Sequence, residues 1–149
     1  MGSKEKPYFW LDKIARDIIS RERRLGRGFK VLRVESGIGA SGFPHIGSVG
    51  DSLRAFGVKL ALESLGYRSE LIAYSDDRDG LRKVPAGVPE EYSKYLGMPV
   101  SEIPDPWGCH SSYGEHMSSM LIDALERLGV EFTFISGTEA YESGLLDDQ

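Results

Sequence analysis

The amino-acid sequence predicts an α/β fold in which helices flank a parallel sheet. Segments with helical periodicity alternate with short runs of β-forming residues along the 149 residues. Glycine follows three of the helical segments, at Gly26, Gly66 and Gly129, where a left-handed residue commonly ends a helix. Such alternation implies crossover connections, which place neighbouring strands parallel. We expect three main strands, with the first in the middle.

Each element is predicted from its own pattern. The expected helices cover residues 8–24, 48–65, 90–96 and 112–128, and a further helix opens at Thr138. The expected strands cover residues 29–34, 70–74 and 130–135. The apolar residues expected to face inward are Trp10, Leu11, Ile14, Ile18 and Ile19 in the first helix and Val49, Leu53, Phe56, Leu60 and Ala61 in the second.

Composition argues against several classes of protein. The net charge of −5 is unlike the basic balance of a stand-alone nucleic-acid binder. A single cysteine, Cys109, leaves no partner for an internal disulfide and fits a reducing, cytoplasmic setting. No apolar run approaches the roughly 20 residues of a membrane-spanning helix, so no membrane partner is expected.

A glycine-rich loop follows the first predicted strand. Residues 37–42 match G-x-G-x-x-G, the fingerprint of dinucleotide-binding proteins. Two features oppose an NAD- or flavin-type site. Pro44 and His45 interrupt the chain before helical periodicity begins. The acidic residue that binds the ribose is expected about 20 residues after the glycines, at the end of the second strand. The residue at that distance is Glu63, which falls inside a predicted helix. A loop of glycines that only form a turn does not explain the His-Ile-Gly that follows.

Residues 41–48, Ser-Gly-Phe-Pro-His-Ile-Gly-Ser, resemble the class I aminoacyl-tRNA synthetase signature called HIGH. An imidazole at the start of a helix can donate a hydrogen bond to a phosphate oxygen, and the helix dipole favours an anion there. The resemblance implies a site for ATP with Mg²⁺, in which His45 and Ser48 are catalytic and Gly47 leaves room for the adenosine. Ser48 replaces the second His of the signature, and its hydroxyl also suits an N-cap. The residues implied to bind ATP are Ser41, Gly42, His45, Gly47 and Ser48.

Further runs resemble the class I lysyl-tRNA synthetases over roughly residues 35–141, most of the chain. They are Asp-Asp-Arg-Asp at 76–79, Arg-Lys-Val-Pro at 82–85 and Pro-Asp-Pro-Trp-Gly-Cys-His at 104–110. This resemblance implies a Rossmann-like (HUP-type) fold that activates lysine with ATP and attaches it to tRNA(Lys). The alternative is a truncated, non-catalytic module of the same fold that binds a nucleotide or an amino acid.

The same resemblance implies where the amino acid is held. A cationic amino acid needs carboxylates near its ammonium groups, and the acidic cluster after the second strand offers them. Gly39 and Ala40 stand where the family has Thr and Pro, and losing a polar contact can relax the selection of lysine. Helix capping and ion pairs with Arg78, Arg82 and Lys83 are the other roles open to the cluster, which comprises Asp76, Asp77 and Asp79. The residues implied to bind the amino acid are Glu35, Gly37, Gly39, Asp77 and Trp107.

Cys109, His110 and His116 offer three side chains that can ligate a metal ion. A structural zinc site takes four ligands at recognisable spacings, so no metal is expected at these residues.

On this resemblance, residues 1–149 form the N-terminal half of a catalytic domain. Its expected parts are an N-terminal helix (1–28), a first βαβ unit with the HIGH-like motif (29–77), a loop-rich insertion (78–111), and a helix, a strand and the start of a helix (112–149). The second class I signature, KMSKS, and an anticodon-binding helical domain do not occur in these residues. We therefore expect either a piece of a longer enzyme, with tRNA bound mostly elsewhere, or a short relative without aminoacylation. An unpaired sheet edge is expected to favour a homo-oligomer.

Overall fold

The protein is described by a computed structural model that covers residues 9–147. The helices are α1 Trp10–Arg24, α2 Ile46–Ser64, α3 Tyr113–Arg127 and α4 Gly137–Glu142, and a 3₁₀ helix spans Glu90–Tyr95. The strands are β1 Leu32–Ile38, β2 Ser69–Ser75 and β3 Thr133–Ser136. All pair in parallel, which confirms the predicted α/β fold. Tyr8, the predicted start of the first helix, lies outside the described residues. No helix between residues 9 and 147 has the length and apolar character needed to span a membrane.

β2, and not β1, is the central strand, so the predicted strand order is wrong. The sheet has the order β1-β2-β3, with Leu32 opposite Ser69 and Ile72 opposite Thr133. Two crossovers of the same hand that step in the same direction place their helices on one face of the sheet. The contact between α2 and α3 fits this arrangement. A central first strand would separate the two helices onto opposite faces.

β1 extends into the region predicted as a glycine-rich loop. Gly37 and Ile38 lie opposite Tyr74 and Ser75 of β2, and Ile38 is buried. The partner strand therefore sets the end of β1, and residues 29–31, which were predicted to begin the strand, precede it. β3 likewise begins at Thr133, three residues later than predicted, where its pairing with β2 begins.

α1 packs on α2, and each helix buries only part of the face predicted for it. An added Cβ at Gly57 would lie 2.7 Å from the Leu11 Cδ1 atom, so the absence of a side chain lets the helices approach closely. Ala15 and Val58 are buried at this contact. Four residues predicted to face inward are exposed instead: Trp10, Ile14, Leu53 and Leu60.

The segment between β2 and α3, predicted as loop-rich, has a hydrophobic core of its own. An isolated antiparallel bridge joins Gly80 to Pro99, and the Leu81 amide donates to the Met98 carbonyl at 2.9 Å. Ala40, from the loop after β1, packs into this cluster and is almost fully buried. The glycine-rich loop is thus fixed by residues much later in the chain. The buried members of the cluster are Ala40, Leu81, Val88, Tyr92, Val100, Ile103, Tyr113 and Met117.

Candidate active site

A cleft of about 690 Å³ lies where the chain passes from β1 into α2. Its size is within the range of small-molecule sites, and its position beyond the carboxyl end of a parallel strand is typical of them. Of the residues predicted to bind ATP, Ser41, Gly42, His45 and Ser48 line the cleft, whereas Gly47 does not. The other lining residues are Gly39, Phe43, Arg82, Lys83, Pro85 and Ala86.

His45 is the N-cap of α2. Its backbone is extended, and its Nδ1 atom accepts a hydrogen bond from the Gly47 amide at 3.0 Å. Because Nδ1 accepts this bond it carries no proton, so a neutral imidazole here has its N–H at Nε2. The side chain is exposed at the cleft and so presents a hydrogen-bond donor beside the positive end of a 19-residue helix.

Gly47 makes room for that ring. A Cβ added at Gly47 would lie 2.7 Å from the His45 Cε1 atom and 2.9 Å from Nδ1. The imidazole therefore occupies the space that a side chain at position 47 would need. The N-cap role left open for Ser48 is not the one observed, because α2 begins two residues earlier than predicted and Ser48 lies in its first turn. The Ser48 Oγ atom accepts only a long contact of 3.5 Å from the His45 amide.

Two buried serines connect the first turn of α2 to β1. The Ser52 hydroxyl donates to the Ser48 carbonyl at 3.3 Å, and its oxygen lies 3.0 Å from the Ser36 Oγ atom. Ser52 has a single proton and uses it on the carbonyl, so Ser36 donates to Ser52. Sequence reasoning missed this chain of bonds. The only sign of these bonds in the sequence is that β1 and α2 each have a serine at a position that faces inward.

Tyr113 holds the loop from the other side. Its side chain is fully buried, and its hydroxyl donates to the Ser41 carbonyl at 3.0 Å. Burial raises the pKa of Tyr113 to about 12, so the phenol keeps the proton that it donates. This residue was also missed, because nothing local in the sequence links positions 41 and 113.

A second cleft of about 240 Å³ adjoins the first and shares Gly39 and Ser41 with it. Gly37 and Gly39, both predicted to bind the amino acid, line it together with two carboxylates, Asp76 and Asp79. The Asp76 amide donates to the Ile38 carbonyl at 3.2 Å, which fixes the end of β2 beside the end of β1. Two carboxylates against exposed backbone suit an ammonium group.

The other three residues predicted to bind the amino acid lie elsewhere. The Asp77 Oδ1 atom accepts the Thr138 amide at 2.8 Å and so caps α4. Glu35 lies three residues before the end of β1, roughly 10 Å from the loop, and lines a groove beside α1. Trp107 is 45% exposed and lies against Phe43 and His116, with ring centroids 5.9 and 4.3 Å away. The structure therefore does not bring them together with Gly37 and Gly39.

Four metal-ligating side chains converge in the loop before α3 and in its first turn. The Cys109 Sγ atom lies 3.2 Å from the His110 Nδ1 atom, 3.3 Å from the His116 Nδ1 atom and 3.3 Å from an oxygen of Asp105. The two imidazole nitrogens are 3.2 Å apart. Zinc with ligands at about 2.0–2.3 Å in a tetrahedron places the ligand atoms roughly 3.3–3.8 Å from one another. The geometry suits a closed, four-coordinate structural ion.

Asp105 is the fourth donor that the prediction of no metal overlooked. Its carboxylate is 1% exposed and accepts the backbone amides of Trp107, Cys109 and His110. Burial alone would raise the pKa of Asp105, but these amide donors outweigh it and hold the pKa well below its usual range. The group is therefore a carboxylate ready to bind a cation. The spacing D-x₃-C-H-x₅-H was the available signal.

A model of the family described as tRNA synthetases class I (K) matches residues 8–149. The chain is 53% identical over 140 residues to a lysine–tRNA ligase of Cenarchaeum symbiosum (strain A), covering 94% of this chain and 27% of that protein. It is 47% identical over 135 residues to the lysine–tRNA ligase of Pyrococcus horikoshii, covering 91% of this chain and 25% of that one.

A lysine–tRNA ligase of Rickettsia bellii is 44% identical over 117 residues, covering 76% of this chain and 22% of that protein. The chain thus spans about a quarter of the length of the curated relatives it matches. The family model covers nearly the whole chain and fits both the parallel α/β sheet and the His-Ile-Gly loop at its edge. The chain therefore belongs to the class I tRNA synthetase family of the lysine type.

Proposed function

We propose that the complete protein activates lysine with ATP and attaches it to tRNA(Lys) in the cytoplasm. The observation that carries this proposal is the pair of adjoining clefts at the end of β1. One cleft has His45 and a helix N-terminus on its wall, and the other has two carboxylates. The names of the relatives supply the substrate, and the clefts supply matching chemistry for a polyanion beside a cation.

The first chemical step needs positioning more than covalent catalysis. The carboxylate oxygen of lysine attacks the α-phosphorus of ATP, the bond to the bridging oxygen breaks, and pyrophosphate leaves with the electron pair. In our proposal the Nε2–H group of His45 donates to a phosphate oxygen as charge builds there. Mg²⁺ would enter as part of the ATP substrate and would offset the charge of the pyrophosphate.

We assign the ammonium-binding role to Asp76 and Asp79 in place of Asp77. Asp77 is engaged with the backbone of α4, whereas the other two line the cleft beside Gly37 and Gly39. Asp76→Asn should therefore weaken lysine binding by about tenfold, since a hydrogen bond to a charged group is worth about 1.5–3 kcal/mol. Asp77→Asn is the matched control, because it makes the same change in charge one residue away. Equal losses of lysine affinity in both variants would refute this assignment.

Other parts of the proposal concern partners. tRNA(Lys) is bound mostly by regions outside this chain. Within residues 9–147, β1 pairs with a strand on one side only, which supports association of copies through its free edge. Light scattering should then report a species larger than a monomer, and a strictly monomeric chain would remove this expectation. The alternative of a non-catalytic binding module predicts ATP binding without lysine-dependent pyrophosphate exchange.

The deciding experiment is the His45→Ala substitution in the complete enzyme. Removing one donor that acts on the transition state costs about 2.7–4 kcal/mol, so adenylation should slow on the order of 100-fold or more. ATP affinity should change little, because the lost interaction forms as the bond breaks. Single-turnover adenylation and equilibrium ATP binding measure the two quantities separately. Activation of lysine at the parent rate would show that this loop is not the ATP site.

A further inference from the structure

Two basic residues on the wall of the larger cleft were not among the predicted site residues. Arg82 and Lys83 line the larger cleft together with His45 and Ser48. Among residues 9–147, no carboxylate lines that cleft, although the full chain has a net charge of −5. Both basic side chains are exposed, so neither is needed to fill the core. The cleft therefore concentrates positive charge where the protein otherwise carries an excess of negative charge.

The partners of the two residues differ. An Arg82 guanidinium nitrogen lies 2.9 Å from an Asp79 carboxylate oxygen, and Asp79 lines the smaller cleft. Lys83 makes no hydrogen bond or ion pair with any residue that the structure describes. One cation is thus free to meet a ligand in the larger cleft, while the other is held by a carboxylate of the neighbouring cleft.

We propose that Lys83 and Arg82 bind the phosphates of the nucleotide, and that Asp79 holds Arg82 aside until the ammonium group of the amino acid takes its place. This inference rests on the proposed function, since it assumes a nucleotide in one cleft and a cationic amino acid in the other. The Arg82–Asp79 pair is weak enough to exchange, because its side chains are 79% and 42% exposed and such pairs contribute little. A released guanidinium can bind two phosphate oxygens with its planar fork.

Exchange of this kind couples the two ligands. Lysine bound at Asp79 would free Arg82 for the phosphates, so each ligand should strengthen the binding of the other by the same factor. The enzyme would then hold ATP tightly only when the amino acid is present.

The test is calorimetric titration of ATP and of adenosine into the 149-residue chain, with and without saturating lysine. Lys83→Ala should bind ATP about tenfold more weakly and bind adenosine unchanged, with the effect of lysine retained. Arg82→Ala should bind ATP normally without lysine and should lose the several-fold gain that lysine gives the unmodified chain. Arg78→Ala is the matched control, because it removes the same charge from the same segment but does not line the larger cleft.

A second pair of variants should raise the affinity for ATP in the absence of lysine, whereas the first pair should lower it or remove the effect of lysine. Asp79→Asn releases Arg82, so its ATP affinity without lysine should rise to that of the unmodified chain with lysine. Asp76→Asn makes the same change in charge in the same cleft without freeing Arg82, and should show a smaller rise.

The outcomes separate this inference from the proposed function. If the unmodified chain binds ATP and both Arg82→Ala and Lys83→Ala behave as Arg78→Ala does, the inference is wrong and the nucleotide site stands. If Arg82→Ala keeps the lysine effect, the exchange at Asp79 is refuted. Failure of the unmodified chain to bind ATP would refute the nucleotide site of this chain, and the inference with it.

Discussion

Replacing Gly47 by alanine isolates the role of the His45 cap. The added methyl group would lie 2.7 Å from one ring atom of His45, and atoms of neighbouring side chains do not approach that closely. The imidazole must therefore leave its place over the helix end, and the Gly47 amide loses its acceptor. Loss of an N-cap costs about 1 kcal/mol.

Alanine is also a better helix former than glycine, and this gain in stability must be separated from the cost of losing the cap. Gly50 lies in the same helix, and an added Cβ there meets no atom within 4 Å. Gly50→Ala should therefore raise the free energy of unfolding by up to about 1 kcal/mol through helix propensity alone. Gly47→Ala should show little or no gain, because the lost cap offsets the propensity. We expect the two variants to differ by about 1 kcal/mol in urea unfolding.

A chemical readout accompanies the stability measurement. In the complete enzyme, Gly47→Ala should slow adenylation by at least about tenfold, because His45 loses the contact that fixes its tautomer and orientation. Gly50→Ala should leave the rate unchanged. If the two variants gain the same stability and adenylate lysine at the same rate, the imidazole does not cap α2 and the assignment of its Nε2–H donor is wrong.

Three further predictions concern the core, the metal cluster and a buried lysine. Tyr113→Phe should lower the free energy of unfolding by about 1 kcal/mol at neutral pH and weaken ATP binding, whereas Tyr92→Phe, which loses a similar bond to another carbonyl, should affect stability alone. Because the pKa of Tyr113 is raised to about 12, its contribution is complete below about pH 10 and is lost as the pH rises through 12, so alkaline unfolding curves of Tyr113→Phe should fall less steeply. The purified chain should contain about one zinc ion by elemental analysis. A chelator should lower the melting temperature of the chain but not that of His116→Ala. A chain that contains no zinc and whose melting temperature does not respond to chelators would contradict the assignment of the cluster as a metal site. Lys59→Met should change stability by less than about 1 kcal/mol in urea unfolding, because its partners Glu63 and Glu131 face solvent and stay hydrated, and a loss of several kcal/mol would refute that reading.

The sequence predicted elements well where the signal was local. Helix ends at Gly26, Gly66 and Gly129 followed from glycine alone, and all three have positive φ angles. Ser112, at the predicted start of a helix, is the N-cap of α3 and accepts the Glu115 amide. The end of β1 could not be read in this way, because it depends on pairing with a strand more than thirty residues later.

The candidate site was predictable in part for the same reason. The residues of the HIGH-like loop are contiguous, and most of them line one cleft. The family resemblance made Asp77 a plausible ligand, but its direction depends on the Thr138 amide in α4, which lies 61 residues later. Asp105 was missed because an aspartate in a Pro-rich loop resembles a turn residue until its neighbours fold around it.

The bond from Tyr113 to Ser41 joins residues 72 positions apart, and Ala40 packs into the same late-forming cluster. This separation has a consequence for synthesis on the ribosome. The glycine-rich loop leaves the exit tunnel long before the segment that shapes it, and contacts between distant residues form only after the intervening chain has been closed into a loop. A nascent chain that ends before Tyr113 would carry the whole His-Ile-Gly motif without the support that shapes it. If the loop binds a nucleotide as we propose, the chain becomes competent to do so late in translation, when α3 docks, although every residue of the motif was made early.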